Sequence, residues 1–296
     1  MQFRTLGKTN MNISVIGVGT WQFGGEWGKE YSQAEADAIM HKAQDLGVNL
    51  VDTAECYGDH TSERLVGGAL KDRRDQWIVA TKFGHKFHKH LQRTWHWKPE
   101  EVRRQLEDSL AALQTDHIDL YQFHSGSDEH FDTDGLWEML ARQKEAGKIL
   151  HVGVSIGSNL SIRQAQDASR VGAEALQLVY NRIDNNAELE LLPIAKSQNL
   201  GILARVPLAS GYLSGKYTLD STFGENDVRA SHSDEKRLSK IKEAQRIARE
   251  EVPEGISLAQ WALAWCLKNP VVSCVIPGCK DVRQVVENAA AADLQI

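Results

Sequence analysis

The chain has 296 residues, of which 25% are charged and 42% hydrophobic, and a formal charge of −6 from 34 Lys+Arg against 40 Asp+Glu. That balance supports a large core, and without a basic stripe it argues against a polyanion partner such as nucleic acid. No apolar run approaches the roughly 20 residues of a membrane span, and MQFRTLGKTN lacks the apolar core of a signal peptide, so a cytoplasmic protein without membrane contact is expected.

Length alone permits two domains, so the pattern must decide. Residues 2–7 and 11–16 alternate around the turn-like Gly7-Lys8-Thr9-Asn10 and predict an N-terminal hairpin. A strand over 15–21 follows, then a helix opened by the capping box of Ser32 with Glu35 and stopped at Gly47. NLVDTAE leads through Tyr57-Gly58 to a helix near Thr61. WIVATKF leads through a long loop, 84–98, to a helix opened by Pro99 that buries Val102, Leu106, Leu110 and Leu113. Next come IDLYQFH with helix 134–146, ILHVGVSI with helix 160–169, and ALQLVYN with helix 188–198, which Pro193 should kink or delay. After GILARVP a loop over 208–234 precedes helices at 235–249 and 257–267, and VSCVIPG with helix 281–290 ends the series. Eight strand-helix units with Val/Ile/Leu-rich strands predict an α/β protein, a (β/α)8 TIM barrel with an N-terminal β-hairpin, in a single domain over 1–296. The Rossmann alternative fails, because Gly17-Val18-Gly19-Thr20-Trp21-Gln22 lacks the last glycine and enters a loop instead of a helix.

In such a barrel Asp52, Lys82 and His124 end the second, third and fourth strands, at the face where barrel active sites are built. A Lys pointing inward is costly without an anion, and Asp52 is the nearest candidate. An ammonium held against Tyr57 should lower the phenol pKa toward working pH and make it a proton donor, while His124 orients and polarises a carbonyl. This set supplies a proton but no electrons, so a hydride carrier is implied.

VDTAECYG with SERLVGGAL, VATKFG, IDLYQFH, GKILHVGVS, PLASGYLSGKY and VIPGCKDVRQVVEN together resemble the aldo-keto reductases over essentially the whole length, closest in pattern to the bacterial and potassium-channel beta-subunit branches. The resemblance implies a (β/α)8 barrel that binds NADPH (NADP+) in an extended pose, with a catalytic tetrad of Asp52, Tyr57, Lys82 and His124. It places Ser155 and Gln177 at the nicotinamide carboxamide and Arg205 where many members stack an aromatic ring. It also draws Pro207, Leu208, Gly211, Leu213, Gly215 and Lys216 along the pyrophosphate. In the last block, Gly278, Lys280, Gln284, Glu287 and Asn288 are implied cofactor contacts. The usual Lys-Ser pair and later Arg for the 2′-phosphate are replaced here by Gly278, Cys279 and Gln284, leaving Lys280 and Arg283 nearby. Family members commonly carry a further C-terminal segment, so with the sequence ending at Ile296 the expectation is either a more open pocket or a chain cut short.

Trp21, Trp27, Trp95 and Trp97 fall in loops after strands one and three and are expected to wall the substrate cleft. The tract His85 to His90 has a loose metal-ligand look without fixed spacing, so no metal site is expected. The cysteines, Cys56, Cys266, Cys274 and Cys279, read as free thiols, and Glu55 and Cys56 receive no role. The implied activity is reduction of an aldehyde or ketone, a small-molecule carbonyl, to an alcohol. The alternatives are an NADP-dependent dehydrogenase of a sugar, polyol or inositol, or a cofactor-sensing regulatory subunit; oligomeric state is left open.

Overall fold

The computed structural model describes residues 1–296. It begins with the expected antiparallel hairpin, β1 (Phe3–Thr5) against β2 (Asn12–Ser14). Gly7, at φ +52°, lets its turn press on the barrel, since a Cβ there would lie 2.1 Å from the Gly201 nitrogen.

The strand-helix units then follow in order: β3 (Val18–Gly19) and α1 (Gln33–Asp45); β4 (Leu50–Asp52) and α2 (Thr61–Ala69). After β5 (Ile78–Phe83) the segment expected as a loop forms a second antiparallel hairpin, β6 (His85–Lys89) with β7 (Gln92–Trp95), before α3 (Pro99–Leu113). The series continues with β8 (Ile118–His124), a short α4 (Asp128–Phe131) and α5 (Leu136–Glu145). Next are β9 (Ile149–Ser155) with α6 (Ile162–Asp167), and β10 (Ala175–Val179) with α7 (Leu191–Ser197). Last come β11 (Gly201–Arg205) with α8 (Asp234–Glu250) and α9 (Leu258–Lys268), and β12 (Cys274–Val275) with α10 (Val282–Ala290). None of these helices is long and apolar enough to cross a membrane.

The eight-stranded sheet runs β3-β4-β5-β8-β9-β10-β11-β12, parallel throughout. Parallel bridges Ile16↔Val275 and Gly19↔Gly278 join its two edges, so the sheet closes into the (β/α)8 barrel. The first strand is shorter than the sequence suggests: beyond Gly19 the chain leaves the sheet for a 3-10 turn at Trp21–Gly24. Local signals hold elsewhere. Ser32 and Glu35 form the reciprocal capping box, and Glu101 accepts from the Lys98 amide at 3.1 Å beside Pro99. Pro193 delays its helix, which starts at Leu191 after a 3-10 turn at Asn186–Glu188.

Two apolar layers result. The larger packs outward strand residues such as Val51, Val79 and Tyr121 against the helices. The smaller fills the barrel floor with Leu50, Ala80, Leu120, Ala175, Leu203 and Cys274, and the hairpin plugs it from below with Leu6 and Ile13. Polar inward side chains therefore have their place above this floor, toward the C-terminal mouth.

Candidate active site

Strand β4 ends on Asp52, whose Oδ1 accepts from Lys82 Nζ at 2.6 Å. Its Oδ2 accepts from Gln177 Nε2 at 2.6 Å and from Gln122 Nε2 at 3.1 Å. Lys82 is fully buried; its Nζ also donates to the Thr53 carbonyl at 2.6 Å and lies 3.3 Å from the Tyr57 hydroxyl. A buried ammonium survives only when paired and hydrogen-bonded, and these partners supply both. Burial pulls the Lys82 pKa down, but Asp52 and Tyr57 outweigh it and raise the pKa, so Lys82 stays charged. Lys82 and Gln122 are cross-strand partners in the β5–β8 register, as Gln177 and Ser155 are in β9–β10. The sequence reading missed Gln122, although alternation puts it on the inward side with His124 and Leu120.

Tyr57 follows on the turn after β4. Gly24 makes room for it, since a Cβ there would come within 2.5 Å of the Tyr57 carbonyl carbon. Burial pushes the phenol up to about 12, more than Lys82 lowers it. The expected shift toward neutral pH is thus overturned: low polarity around the ring outweighs one nearby cation, and the hydroxyl keeps its proton at neutral pH. His124 closes β8 with its ring edge-on to Tyr57, centroids 6.1 Å apart. Burial first, then the fields of His85, Lys82 and Arg93, hold its pKa well below the usual range, so the imidazole is neutral.

The cleft walls only partly match expectation. Trp21 stacks on Tyr57 at 5.9 Å with Trp27 edge-on to it at 5.2 Å. The Trp21 indole donates to Glu26, and Glu26 accepts from Arg93 of β7 at 2.5 and 2.6 Å. This half-buried pair, absent from the sequence reading, ties the loop after β3 to the second hairpin beside Trp21 and Tyr57. Trp95 is 52% exposed. Trp97, by contrast, packs against Phe83 and Phe123 in the core and does not wall the cleft, because it follows β7 back toward α3.

Among the residues suggested for a cofactor, Gln177 is knit into the polar layer, also donating to Gln122 Oε1 at 3.2 Å, and its Oε1 lies 3.4 Å from Ser155 Oγ. Arg205 ends β11 and donates to the carbonyls of Ile156 and Gly157 at 3.0 and 3.1 Å, with its buried Nε left unpartnered. Beyond it the backbone takes left-handed conformations at Val206, Ala209, Ser210 and Gly211, and again at Gly215 beside exposed Lys216. Leu208 is half-buried, while Pro207 and Leu213 are buried, Leu213 packing with the cluster around Ile241 and Trp261, so these last two offer backbone more than side chain.

Gly278 pairs with Gly19, and Gln284 Oε1 accepts from the Lys280 amide at 2.9 Å. Glu287 is turned to Arg283 at 3.2 Å, and buried Asn288 donates to the Gly278 carbonyl at 3.5 Å. Burial and then Arg229 lower the Lys280 pKa, with Lys216 and Lys29 adding to the effect. Arg229 is held by Asp227 at 2.6 and 2.8 Å and lies over Phe223 and Trp27. The segment 208–234 thus folds onto the loop after β3, and the Trp27↔Asp227 bridge fixes the contact. Sequence reasoning missed Lys29, Asp227 and Arg229, whose proximity to Lys280 arises only on folding. The unpartnered Arg205 nitrogen, the run of left-handed backbone and these cations suit an anionic dinucleotide.

A barrel with a polar Asp-Lys-Tyr-His mouth and an anion-suited rim defines an oxidoreductase class. The Aldo/keto reductase family matches residues 15–296, and the chain belongs to that family, whose members are oxidoreductases working with a nicotinamide cofactor. A protein of Oryza sativa subsp. japonica described as a probable voltage-gated potassium channel subunit beta is 31% identical, over 99% of this chain and 92% of its own length. An aldo-keto reductase of Bacillus halodurans solved in holo form superposes with a TM-score of 0.82 at 28% identity, covering 100% of this chain and 92% of that one. A glycerol dehydrogenase of Gluconobacter oxydans gives 0.81 at 29% identity, with coverages of 99% and 90%.

Proposed function

We propose that the chain reduces an aldehyde or ketone to the alcohol with NADPH, with Tyr57 as the proton donor. The observation that carries this reading is the Lys82 ammonium, held by Asp52 and the Thr53 carbonyl and set 3.3 Å from the Tyr57 hydroxyl. A reduced nicotinamide, when bound, supplies the hydride taken by the carbonyl carbon. Tyr57 gives its proton to the carbonyl oxygen, and Lys82 stabilises the phenolate left behind. Asp52 keeps Lys82 charged and in place. His124, neutral, offers its ring N–H to the carbonyl oxygen and orients it.

Ser155 and Gln177 stand at the mouth for the carboxamide, and Arg205 offers a planar guanidinium to the nicotinamide ring. The backbone from Leu208 to Lys216 serves the pyrophosphate. Lys280 with Lys29, Lys216, Arg229 and Arg283 favours NADPH over NADH, because an extra phosphate gains most where cations already converge.

One observation favours a second reading. The half-buried Glu26–Arg93 pair, bound through Glu26 to the Trp21 that stacks on Tyr57, makes that side of the cleft polar, and the solved glycerol dehydrogenase is a structural neighbour, so a polyol oxidised with NADP+ is the runner-up. Purified protein should oxidise NADPH with a nitrobenzaldehyde and do so more slowly with NADH. A panel measured in both directions decides: higher kcat/KM for carbonyl reduction supports the first reading, higher kcat/KM for polyol oxidation the second. No turnover with any carbonyl or alcohol rejects both.

A further inference from the structure

Beside the tetrad, donor side chains arrive from three places: Glu55 and Cys56 from the turn after β4, His85 from the first residue of β6, and His124 from the end of β8. One donor atom from each lies within 4.8 Å of the others. Cys56 Sγ is 3.7 Å, and Glu55 Oε2 3.9 Å, from His124 Nδ1. Around a tetrahedral zinc ion with bonds of roughly 2.0–2.3 Å, neighbouring donor atoms are about 3.3–3.8 Å apart, so small side-chain shifts complete the set.

The cluster is buried, with exposures of 3% for Glu55, 0% for Cys56, 7% for His85 and 9% for His124. Yet Glu55 Oε2 and both ring nitrogens of His85 have no hydrogen-bond partner. A buried polar atom left without a partner is destabilising, so three of them at one point call for a ligand. The geometry holds them there. Glu55 Oε1 accepts from the His85 amide at 2.9 Å, and the His85 ring stacks on His124 at 4.4 Å with Trp95 edge-on at 4.6 Å.

We propose that Glu55, Cys56, His85 and His124 bind one divalent transition-metal ion of the zinc class. Sulfur, two imidazoles and one carboxylate form a borderline-soft set, unlike the oxygen cages of Mg2+ or Ca2+. A Cys56 thiolate and a Glu55 carboxylate together neutralise the dication. A cavity of about 380 Å³, lined by Glu55, His85, His60, Glu101 and Asp108 together with exposed Lys86, gives an ion a polar way in from the surface. Through Nδ1 the ion fixes the His124 tautomer with its proton on Nε2. The His85–His90 tract contributes only its first histidine, because the β6 pleat buries His85 and leaves His88 exposed.

The test uses full-length, reduced protein stripped of metal by a chelator, titrated with ZnCl2 by calorimetry and with CoCl2 by absorbance. Expected are one equivalent of Zn2+ bound, a thiolate-to-cobalt charge-transfer band, and no competition from Mg2+. Cys56→Ser should remove the band, and Cys56→Ser, His85→Ala and Glu55→Gln should each weaken Zn2+ at least about 10-fold. His88→Ala should not. Circular dichroism checks that each variant is folded, and three independent substitutions keep the test alive if one is not. Absence of stoichiometric Zn2+ binding, or binding that survives both Cys56→Ser and His85→Ala, overturns the proposal. NADPH binding and carbonyl turnover are read on metal-free protein, so the reductase reading stands or falls separately.

Discussion

Burial pushes the Tyr57 phenol up to about 12, and with Tyr57 as the proposed proton donor that shift would set the pH behaviour of the reaction. In the proposed mechanism reduction needs the protonated form, which persists through neutral pH and is lost only as pH rises through the folded pKa. His124 is held neutral well below its usual pKa and adds no inflection near 6.5. The kcat for carbonyl reduction should therefore stay level between about pH 6 and 9 and fall only at strongly alkaline pH. An inflection between pH 7 and 8 in a pH–rate series would show that cofactor binding brings the phenol down. Lys82→Met should cost stability as well as rate, about 3–5 kcal/mol by urea unfolding, because Asp52 then stays buried without its cation. Asp52, Lys82 and His124 stood out in sequence because each falls at or next to the end of a hydrophobic strand, and Tyr57 because it follows on the turn after β4. Gln122 and Glu26 were not: a Gln inside a strand reads as filler, and Glu26 shows its purpose only once Arg93, far along the chain, reaches it.

At the scale of elements, helices were read more accurately than strands and loops. Ser32, Glu35 and Pro99 act on their own neighbours, so their signals survive without tertiary context. The second hairpin left no such trace, since HKFHK and QRTW lack apolar alternation and are held by distant contacts, Arg93 to Glu26 and the His85 amide to Glu55. Arg93→Ala should raise KM for the carbonyl several-fold while leaving NADPH affinity unchanged, because it frees the cleft wall and not the cofactor rim. Arg205, proposed for the cofactor rim, bridges β11 to the loop after β9. Arg205→Ala should weaken NADPH binding about 10-fold in a fluorescence titration, a loss of roughly 1.4 kcal/mol; unchanged binding would remove the guanidinium from the cofactor site.

Across the whole molecule, eight repeated units announced a closed barrel, but the make-up of its seam could not be read. The first and last strands are two residues each, and the seam rests on two bridges and on backbone approach between Gly19 and Gly278. The floor depends on the N-terminal hairpin, stapled by Arg4 to the carbonyls of Leu267 and Val272 at 2.8 and 2.5 Å. Leu6 is fully buried there among strand residues at the end opposite the tetrad. Leu6→Ala should cost about 2–5 kcal/mol by denaturant unfolding yet leave kcat at 25 °C unchanged, because the cavity opens away from the mouth. The most direct single test of the chemistry is Tyr57→Phe, with NADPH affinity and nitrobenzaldehyde turnover measured on the same preparation. The expected result is turnover reduced by about 10²–10⁴-fold with cofactor affinity retained; turnover at the wild-type rate would contradict Tyr57 as the proton donor.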